Sequence, residues 1–197
     1  MTAPALILDL GGVIVDHDNA IMLDRVAALL KRPASHADIA AAIKASGIGA
    51  GRVDAAGLFG QLRDAHGSDA VLAEFLDAWS CHFTLKRDVF DYLDALRTSS
   101  PRVLCSNTNG AHWDHIVAHY GVDRLLAAAI LSHEVHCEKP DAGIYLAAAR
   151  AQGRPPEECL FVDDVMANVD GAARLGFRVH HFQGLAGLRA AVEGSVA

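Results

Sequence analysis

The sequence predicts an α/β fold: a mostly parallel sheet flanked by helices, with a small all-helical insertion after the first strand. Three observations carry this. Short apolar, β-branched runs recur at Leu6–Leu8, Arg102–Cys105, Ala129–Leu131, Leu160–Val162 and Phe177–His180. Segments with apolar residues at helical spacing separate the later runs. Between about His17 and Leu85, by contrast, there are helical patterns and no convincing strand. Strands alternating with helices favour right-handed βαβ units and a parallel sheet.

The first strand lies in "ALILDLGGVIVD", with a second apolar run, Val13–Val15, close behind it. Four helical patterns follow, at Ala20–Leu30, His36–Ala45, Asp54–Ala65 and Asp69–Trp79, joined by the linkers "KRPASHAD" and "SGIGAGRVD". In the fourth, Leu72, Phe75, Leu76 and Trp79 share helical spacing and read as the core of the insertion. A helical block in this place reads as a lid or cap. The expected organisation is therefore an α/β core from residues 1–16 and 86–197, with a cap over 17–85. In the second half, Val89–Leu96 carries a helical pattern, and Ala142–Ala151 is an alanine-rich helix stopped by Gly153. Val165–Leu175 is stopped by Gly176, a position suited to a left-handed C-cap.

The 197 residues, 52 % of them hydrophobic, suffice for a real core. Seventeen Lys and Arg against 24 Asp and Glu give a formal charge of −7. That acidic balance argues against a nucleic-acid partner, which needs a basic footprint. It leaves an anionic small molecule open, because charge within a cleft can oppose the net charge. Cys81, Cys105, Cys137 and Cys159 form no C-x-x-C pair and read as buried, reduced thiols of a cytoplasmic protein. No Lys or Arg precedes the N-terminal apolar run, and Asp9 breaks it. It is read as neither a signal peptide nor a membrane span, and no membrane partner is expected.

Asp9 poses the functional question, since it closes an apolar strand. Ligands of open parallel sheets bind beyond the carboxyl ends of the strands. Gly11 and Gly12 let the backbone turn there and approach a ligand closely. Three further segments place chemistry at comparable positions. "RVLCSNTN" ends in Ser106, Asn107, Thr108 and Asn109; "CEKPDAGIY" puts Lys139 before a helix opened by Pro140 and Asp141; "LFVDDVMAN" ends in Asp163 and Asp164. A phosphate site needs a nucleophile, hydrogen-bond donors, a cation and metal-binding acids, and these segments offer one of each. Adjacent carboxylates repel at a strand end, and a bound cation relieves that repulsion.

In this order and spacing, Asp9, Ser106, Lys139 and Asp163–Asp164 resemble the four motifs of the haloacid dehalogenase-like hydrolase superfamily. The resemblance covers nearly the whole chain. "DLGGVIVD", "LCSNTN", "EKPDAGIY" and "FVDDVMANVDGA" look most like its sugar-phosphate phosphatase branch, which also resembles the phosphatase domain of soluble epoxide hydrolases. The resemblance implies a Rossmann-like core and a magnesium-dependent phosphohydrolase acting on a small phosphorylated metabolite, with a sugar phosphate as the first expectation. By resemblance, Asp9 is the nucleophile and forms an aspartyl-phosphate. Magnesium is held by the Asp9 and Asp164 carboxylates and the Gly11 carbonyl, with Asp163 in or next to the coordination shell. Lys139 binds the phosphate, and Ser106 and Asn107 donate hydrogen bonds to it. Thr108 and Asn109 fit turn or helix-capping roles, and Asn168 supports the loop or caps its helix.

One position departs from the superfamily pattern. Most of its phosphatases carry a second Asp two residues after the nucleophile, as general acid and base; here that residue is Gly11. Such help is worth about 10²–10⁴-fold. Three accounts stand: another group, from the cap or among Asp16, His17 and Asp18, moves the proton; the leaving group needs none, as in an acyl phosphate; or the protein binds a phosphate ligand with little turnover, as a binding or regulatory protein. The branch named above also tends to carry glycine here. The superfamily's dehalogenases fit less well, because they carry a bulky aromatic at this position and use no metal.

Other features carry weaker readings. His112, His115 and His119 share a helix face and are read as its solvated side rather than a zinc site. His133 and His136 flank the loop before Lys139, and His180 and His181 end the last strand, without an assigned role. Arg52, beside Gly49 and Gly51, is a candidate for reaching an anionic substrate from the cap.

Overall fold

The computed structural model describes residues 5–96 and 101–194. Five strands form a parallel sheet: β1 (Ala5–Leu8), β4 (Arg102–Ser106), β5 (Ala128–Leu131), β6 (Cys159–Asp163) and β7 (Arg178–His181), in the order β5-β4-β1-β6-β7. The alternation of side chains along each strand sorts them into two cores. Leu6, Leu8, Leu104, Leu160 and Val162 point to one face, and Ala5, Ile7, Val103, Cys105, Cys159 and Phe161 to the other. At β1, β4 and β6 both faces are covered, which is why these central strands carry near-continuous apolar runs, while the edge strands β5 and β7 are less buried. On the first face pack α5 (Arg87–Ala95), through Val89, Phe90 and Leu93, α6 (Gly110–Tyr120), through Ile116, and α10 (Leu185–Glu193), through Leu188 and Val192. On the second pack the short α7 (Ser132–Val135), through Val135, α8 (Ala142–Gln152), through Ile144, Tyr145 and Ala148, and α9 (Met166–Ala173), through Ala172.

The chain leaves β1 toward β4 on one side and leaves β6 toward β7 on the other. The loops after these two adjacent strands therefore diverge, and a crevice opens at their carboxyl ends.

Residues 17–85 contain α1 (Asn19–Ala28), α2 (His36–Ser46), α3 (Ala55–His66) and α4 (Leu72–Ser80). They enclose a separate apolar cluster of Met22, Val26, Ile39, Leu58, Phe75 and Trp79. The termini follow their local chemistry. Asp18 caps α1, Ser35 and Asp38 form a capping box on α2, and Asp54 caps α3. Gly47 ends α2 in the left-handed region. Leu72 is 40 % exposed and lies outside the cluster it was expected to join. The fourth helix begins three residues later than the sequence suggests, and its buried stripe is Phe75, Ala78 and Trp79.

The segment also begins and ends on strands that the sequence did not reveal. β2 (Val15–His17) and β3 (Phe83–Leu85) pair antiparallel, carrying the chain into and out of the helices. At three residues each they are too short to show alternation. Val13 and Ile14 belong to no strand: Ile14 N donates to Leu10 O at 2.8 Å, and both side chains are buried under the sheet's end. Helix α9 ends at Ala173 with Arg174, in the right-handed region, as its C-cap, two residues short of the expected end at Leu175. Gly176, at φ 88°, turns the chain in the loop beyond it rather than capping the helix. All four cysteines are free, with Cys105 and Cys159 buried and the other two partly so. No helix among the described residues is long and apolar enough to cross a membrane.

Candidate functional site

The register of the sheet builds the site. Ile7 of β1 lies beside Phe161 of β6. Two residues on, the same pairing brings Asp9 beside Asp163, on the same face of the sheet. Asp9 N donates to Val162 O at 2.9 Å, so the pairing continues past the formal end of β1. Two carboxylates at neighbouring strand ends need a counter-charge. Lys139, arriving on the loop before α8, supplies it: its Nζ lies 2.8 Å from Asp9 Oδ1 and 2.7 Å from Asp163 Oδ2. Its stem passes the Phe161 ring, with Nζ 5.8 Å from the ring centre. Asp9, Lys139 and Asp163 are all buried.

The electrostatics follow from that burial. Desolvation pushes the Asp9 carboxyl up to about 6; Asp163 adds to the rise, and Lys139 opposes it. Burial alone would lower the Lys139 ammonium, but Asp9 and Asp163 outweigh it and hold the group above its ordinary value. Lys139 is therefore a fixed cation.

The second carboxylate of the motif, Asp164, completes a cluster. Ligand oxygens of Asp9, Asp163 and Asp164 lie within 4.8 Å of one another. One lysine cannot neutralise three carboxylates, and the all-oxygen donor set suits a hard divalent cation. Gly12 makes the cluster possible. Its φ is 71°, and a Cβ there would lie 2.1 Å from Asp164 Oδ2.

Supporting contacts fix each member. Asp163 accepts from Val165 N at 2.8 Å and from Asn168 Nδ2 at 3.1 and 3.2 Å, so Asn168 supports the loop as expected of it. The Tyr145 hydroxyl donates to Asn168 O at 2.9 Å. Asn107 Nδ2 donates to Lys139 O at 2.9 Å, and Asn107 Oδ1 accepts from Lys139 N at 2.7 Å. The structure thus engages the Asn107 side chain with Lys139, whereas the sequence suggested a direct hydrogen bond to phosphate. Ser106 is buried at the end of β4 and lines a cavity of about 230 Å³ with Leu10, Gly11, His17, Asn107 and Thr108. Asn109 caps α6.

Arg52 is exposed, with its stem against Gly47, and stands outside the carboxylate cluster and outside the cavity beneath the helices. That cavity, about 370 Å³, lies between the helical segment and the sheet and is lined by Met22, Ile48, Trp79, Asn107, Asn109 and Glu138. Its walls are tied together: Trp79 Nε1 donates to Asn109 Oδ1 at 3.3 Å, and Ser132 Oγ to Gly49 O at 2.6 Å.

This arrangement agrees with a family model. Residues 3–176 match the model for haloacid dehalogenase-like hydrolases. The chain belongs to the haloacid dehalogenase-like hydrolase family. Solved structures of the family share its fold. The HAD family enzyme bt-2542 of Bacteroides thetaiotaomicron superposes with a TM-score of 0.80 at 22 % identity, over 91 % of this chain and 93 % of that one. That enzyme has also been solved with magnesium and inorganic phosphate. A HAD-like family hydrolase of Porphyromonas gingivalis gives a TM-score of 0.76 at 26 % identity, over 91 % of each chain. Among curated proteins, the GMP/IMP nucleotidase YrfG of Escherichia coli (strain K12) is 33 % identical over 95 residues. That match takes in 48 % of this chain and 43 % of the relative, so the chain spans less than half the length of the curated relative.

Within this haloacid dehalogenase-like frame, one expectation is overturned and one supporting group is new. His112 does not lie on a solvated face. Its ring stacks on Trp79 at 4.7 Å between centres, and its nitrogens meet Trp79 O at 3.0 Å and Asn109 Nδ2 at 3.1 Å. The helical face is wet only from His115 onward, because α4 covers the first turn of α6. The Trp79–Asn109–His112 network joins residues far apart in sequence, and only the capping residue Asn109 carried a local signal.

Proposed function

We propose that this protein is a magnesium-dependent phosphohydrolase that cleaves small phosphate monoesters through an aspartyl-phosphate on Asp9. The observation that supports this most is the set of three convergent carboxylates around a single buried lysine. Three of the four segments end strands, the fourth brings Lys139 in on the loop before α8, and the donor set fits magnesium. The magnesium and phosphate bound by the bt-2542 enzyme, and the nucleotidase activity named for the YrfG relative, point the same way.

In this reading Asp9, Asp163 and Asp164 hold the metal, together with the Gly11 carbonyl. Bound there, magnesium would offset charge on the phosphoryl group. The chain's own groups do the rest. Asp9 is aimed by its bond from Leu10 N, at 2.6 Å, and attacks phosphorus. Lys139 balances the negative charge that gathers at the site, and its two carboxylate partners keep it in place. Ser106, at the end of β4, offers a hydroxyl to a phosphoryl oxygen. Asn107 fixes the loop that carries Lys139. The helical segment acts as a cap whose cavity receives the leaving group. A sugar phosphate remains the first substrate to try, and the nucleotidase relative adds nucleoside monophosphates. Arg52 serves, in this reading, only if cap movement brings it inward.

The test is phosphate release from a panel of sugar phosphates, nucleoside monophosphates and acyl phosphates, with and without magnesium, beside Asp9→Asn. Magnesium-dependent release that is lost in the variant supports the reading. A folded protein that releases no phosphate from any of them overturns it in favour of phosphate binding without turnover.

A further inference from the structure

We infer that His17 is the proton-transferring residue of the reaction, standing where Gly11 lacks a side chain; the inference rests on the phosphohydrolase reading above. An aspartyl-phosphate route needs one proton delivered to the leaving oxygen and one removed from the attacking water. The residue two positions after the nucleophile cannot do either. A Cβ built on Gly11 would lie 3.4 Å from both Cε1 and Nδ1 of His17. The imidazole therefore fills the volume into which a side chain at position 11 would grow. It lines the same cavity as Leu10 and Gly11, which follow β1, and Ser106, which ends β4.

The neighbouring candidates are engaged elsewhere. Asp16 Oδ1 is taken up by an ion pair with Lys86 Nζ at 2.6 Å, and Asp16 lines a cavity with Gly12 and Asp164, on the metal side of the cluster rather than beside Ser106. Asp18 caps α1 through its bond from Ala20 N at 2.9 Å. Both nitrogens of His112 are bonded. His82 is 5 % exposed, with its ring centre 4.0 Å from that of Phe83. Among the described residues, no hydrogen bond engages either nitrogen of His17, which is exposed at the cavity. Its backbone is fixed all the same: His17 pairs with Phe83 across β2 and β3, and Asp18 N donates to His82 O at 3.1 Å. The ring meets His82 edge-on at 6.5 Å. The position is rigid in its backbone and free at its nitrogens, as a proton shuttle requires.

The chemistry balances. A carboxylate oxygen of Asp9 bonds to phosphorus, and the bond from phosphorus to the leaving oxygen breaks with its electron pair on that oxygen. His17, entering as imidazolium, gives the oxygen a proton and becomes neutral. In the second half, water oxygen bonds to phosphorus and loses a proton to neutral His17. The phosphorus–Asp9 bond breaks, and its pair returns to the carboxylate. One ester and one water become one alcohol and one inorganic phosphate, with Asp9 and His17 restored.

The deciding experiment compares wild type, His17→Ala, His17→Gln and the double variant His17→Ala with Gly11→Asp. Each is assayed with an alkyl or sugar phosphate, whose leaving group is poor, and with p-nitrophenyl phosphate, whose leaving group needs no proton. Intact-mass spectrometry after mixing with acetyl phosphate reads the phosphoenzyme. The expected result is a loss of about 10²–10⁴-fold on the poor leaving group for both single variants. Formation of phosphoenzyme from p-nitrophenyl phosphate changes little, while phosphoenzyme accumulates because water lacks its base. The double variant regains activity, since Gly11 is not in the left-handed region and the ring beside it has been removed. Equal rates on both leaving groups, or equal losses on both without accumulation, overturn the inference while wild type remains active. Wild type inactive on every ester instead removes the phosphohydrolase reading itself, and this inference with it.

Discussion

Asn107 grips Lys139 by its main chain, donating to the carbonyl at 2.9 Å and accepting from the amide at 2.7 Å. The two residues lie on separate loops, one after β4 and one before α8, and this pair of bonds is what registers the lysine against Asp9 and Asp163. Asn107→Ala leaves a peptide N–H and C=O of the Lys139 loop without partners. The expected cost is about 1–3 kcal/mol of stability. A displacement of about an ångström at the reacting centre costs on the order of 10²-fold in kcat. Steady-state kinetics beside a thermal melt checks this: a folded variant with unchanged kcat would show that Lys139 positions itself.

Adjacent glycines are expected to respond in opposite ways. Gly12→Ala places a methyl 2.1 Å from Asp164 Oδ2 and forces φ near 71° on an L-residue. The backbone part alone costs about 1–2 kcal/mol, and the clash moves Asp164 out of the carboxylate cluster. Gly11→Ala meets only the His17 ring, at 3.4 Å, and is tolerated. Calorimetric titration with magnesium separates the two: weak or absent binding is expected for the first and near-native binding for the second.

Removal of metal should destabilise the protein. Asp9, Asp163 and Asp164 bring three carboxylates within 4.8 Å against one lysine, so a divalent cation binds the folded state far better than the unfolded one. At a magnesium concentration about 100-fold above its Kd, the gain is about 2.7 kcal/mol. For a chain of this size that is a rise in Tm of roughly 5–10 °C. Asp164→Asn loses most of the rise, yet without magnesium it melts no lower than wild type, because one repelling charge is gone. Equal magnesium shifts in both proteins would place the metal elsewhere.

Much of this site was legible because it is local in sequence. Asp9, Ser106 and Asp163–Asp164 each sit at or next to the end of an apolar run, Lys139 sits just before a helix opened by Pro140 and Asp141, and the alternation along β1 and β6 puts Asp9 and Asp163 on one face. The parallel core was legible for the same reason. What escaped depends on partners far along the chain. β2 and β3 are short strands that exist only because each pairs with the other across the helical segment. Leu72 fits a helical stripe, but the helix starts at that residue and leaves it exposed. The engagement of Asn107 with Lys139 needs the fold to bring two loops together. His112 looked solvated because only its own helix was in view; α4, which covers it, is distant in sequence.

That covering makes His112 and His82 an acid-labile point between the helical segment and the sheet. Burial pushes the His112 imidazole down to about 3, with His82 as a further cause. Burial pushes His82 down to about 4, with His17 contributing. An unfolded histidine titrates near 6.5. As pH falls below that value the unfolded chain binds protons that the folded chain refuses, so stability falls. The contribution is full above about pH 6.5 and is lost progressively toward pH 3–4. Each histidine adds a slope of up to about 1.4 kcal/mol per pH unit in that window. His112→Gln keeps an amide N–H for Trp79 O and removes one titrating group. Denaturant melts from about pH 7.5 to about pH 4.5 should show a shallower loss for the variant than for wild type. Parallel curves would mean that His112 takes up its proton in the folded protein, and that the stacking on Trp79 opens to admit it.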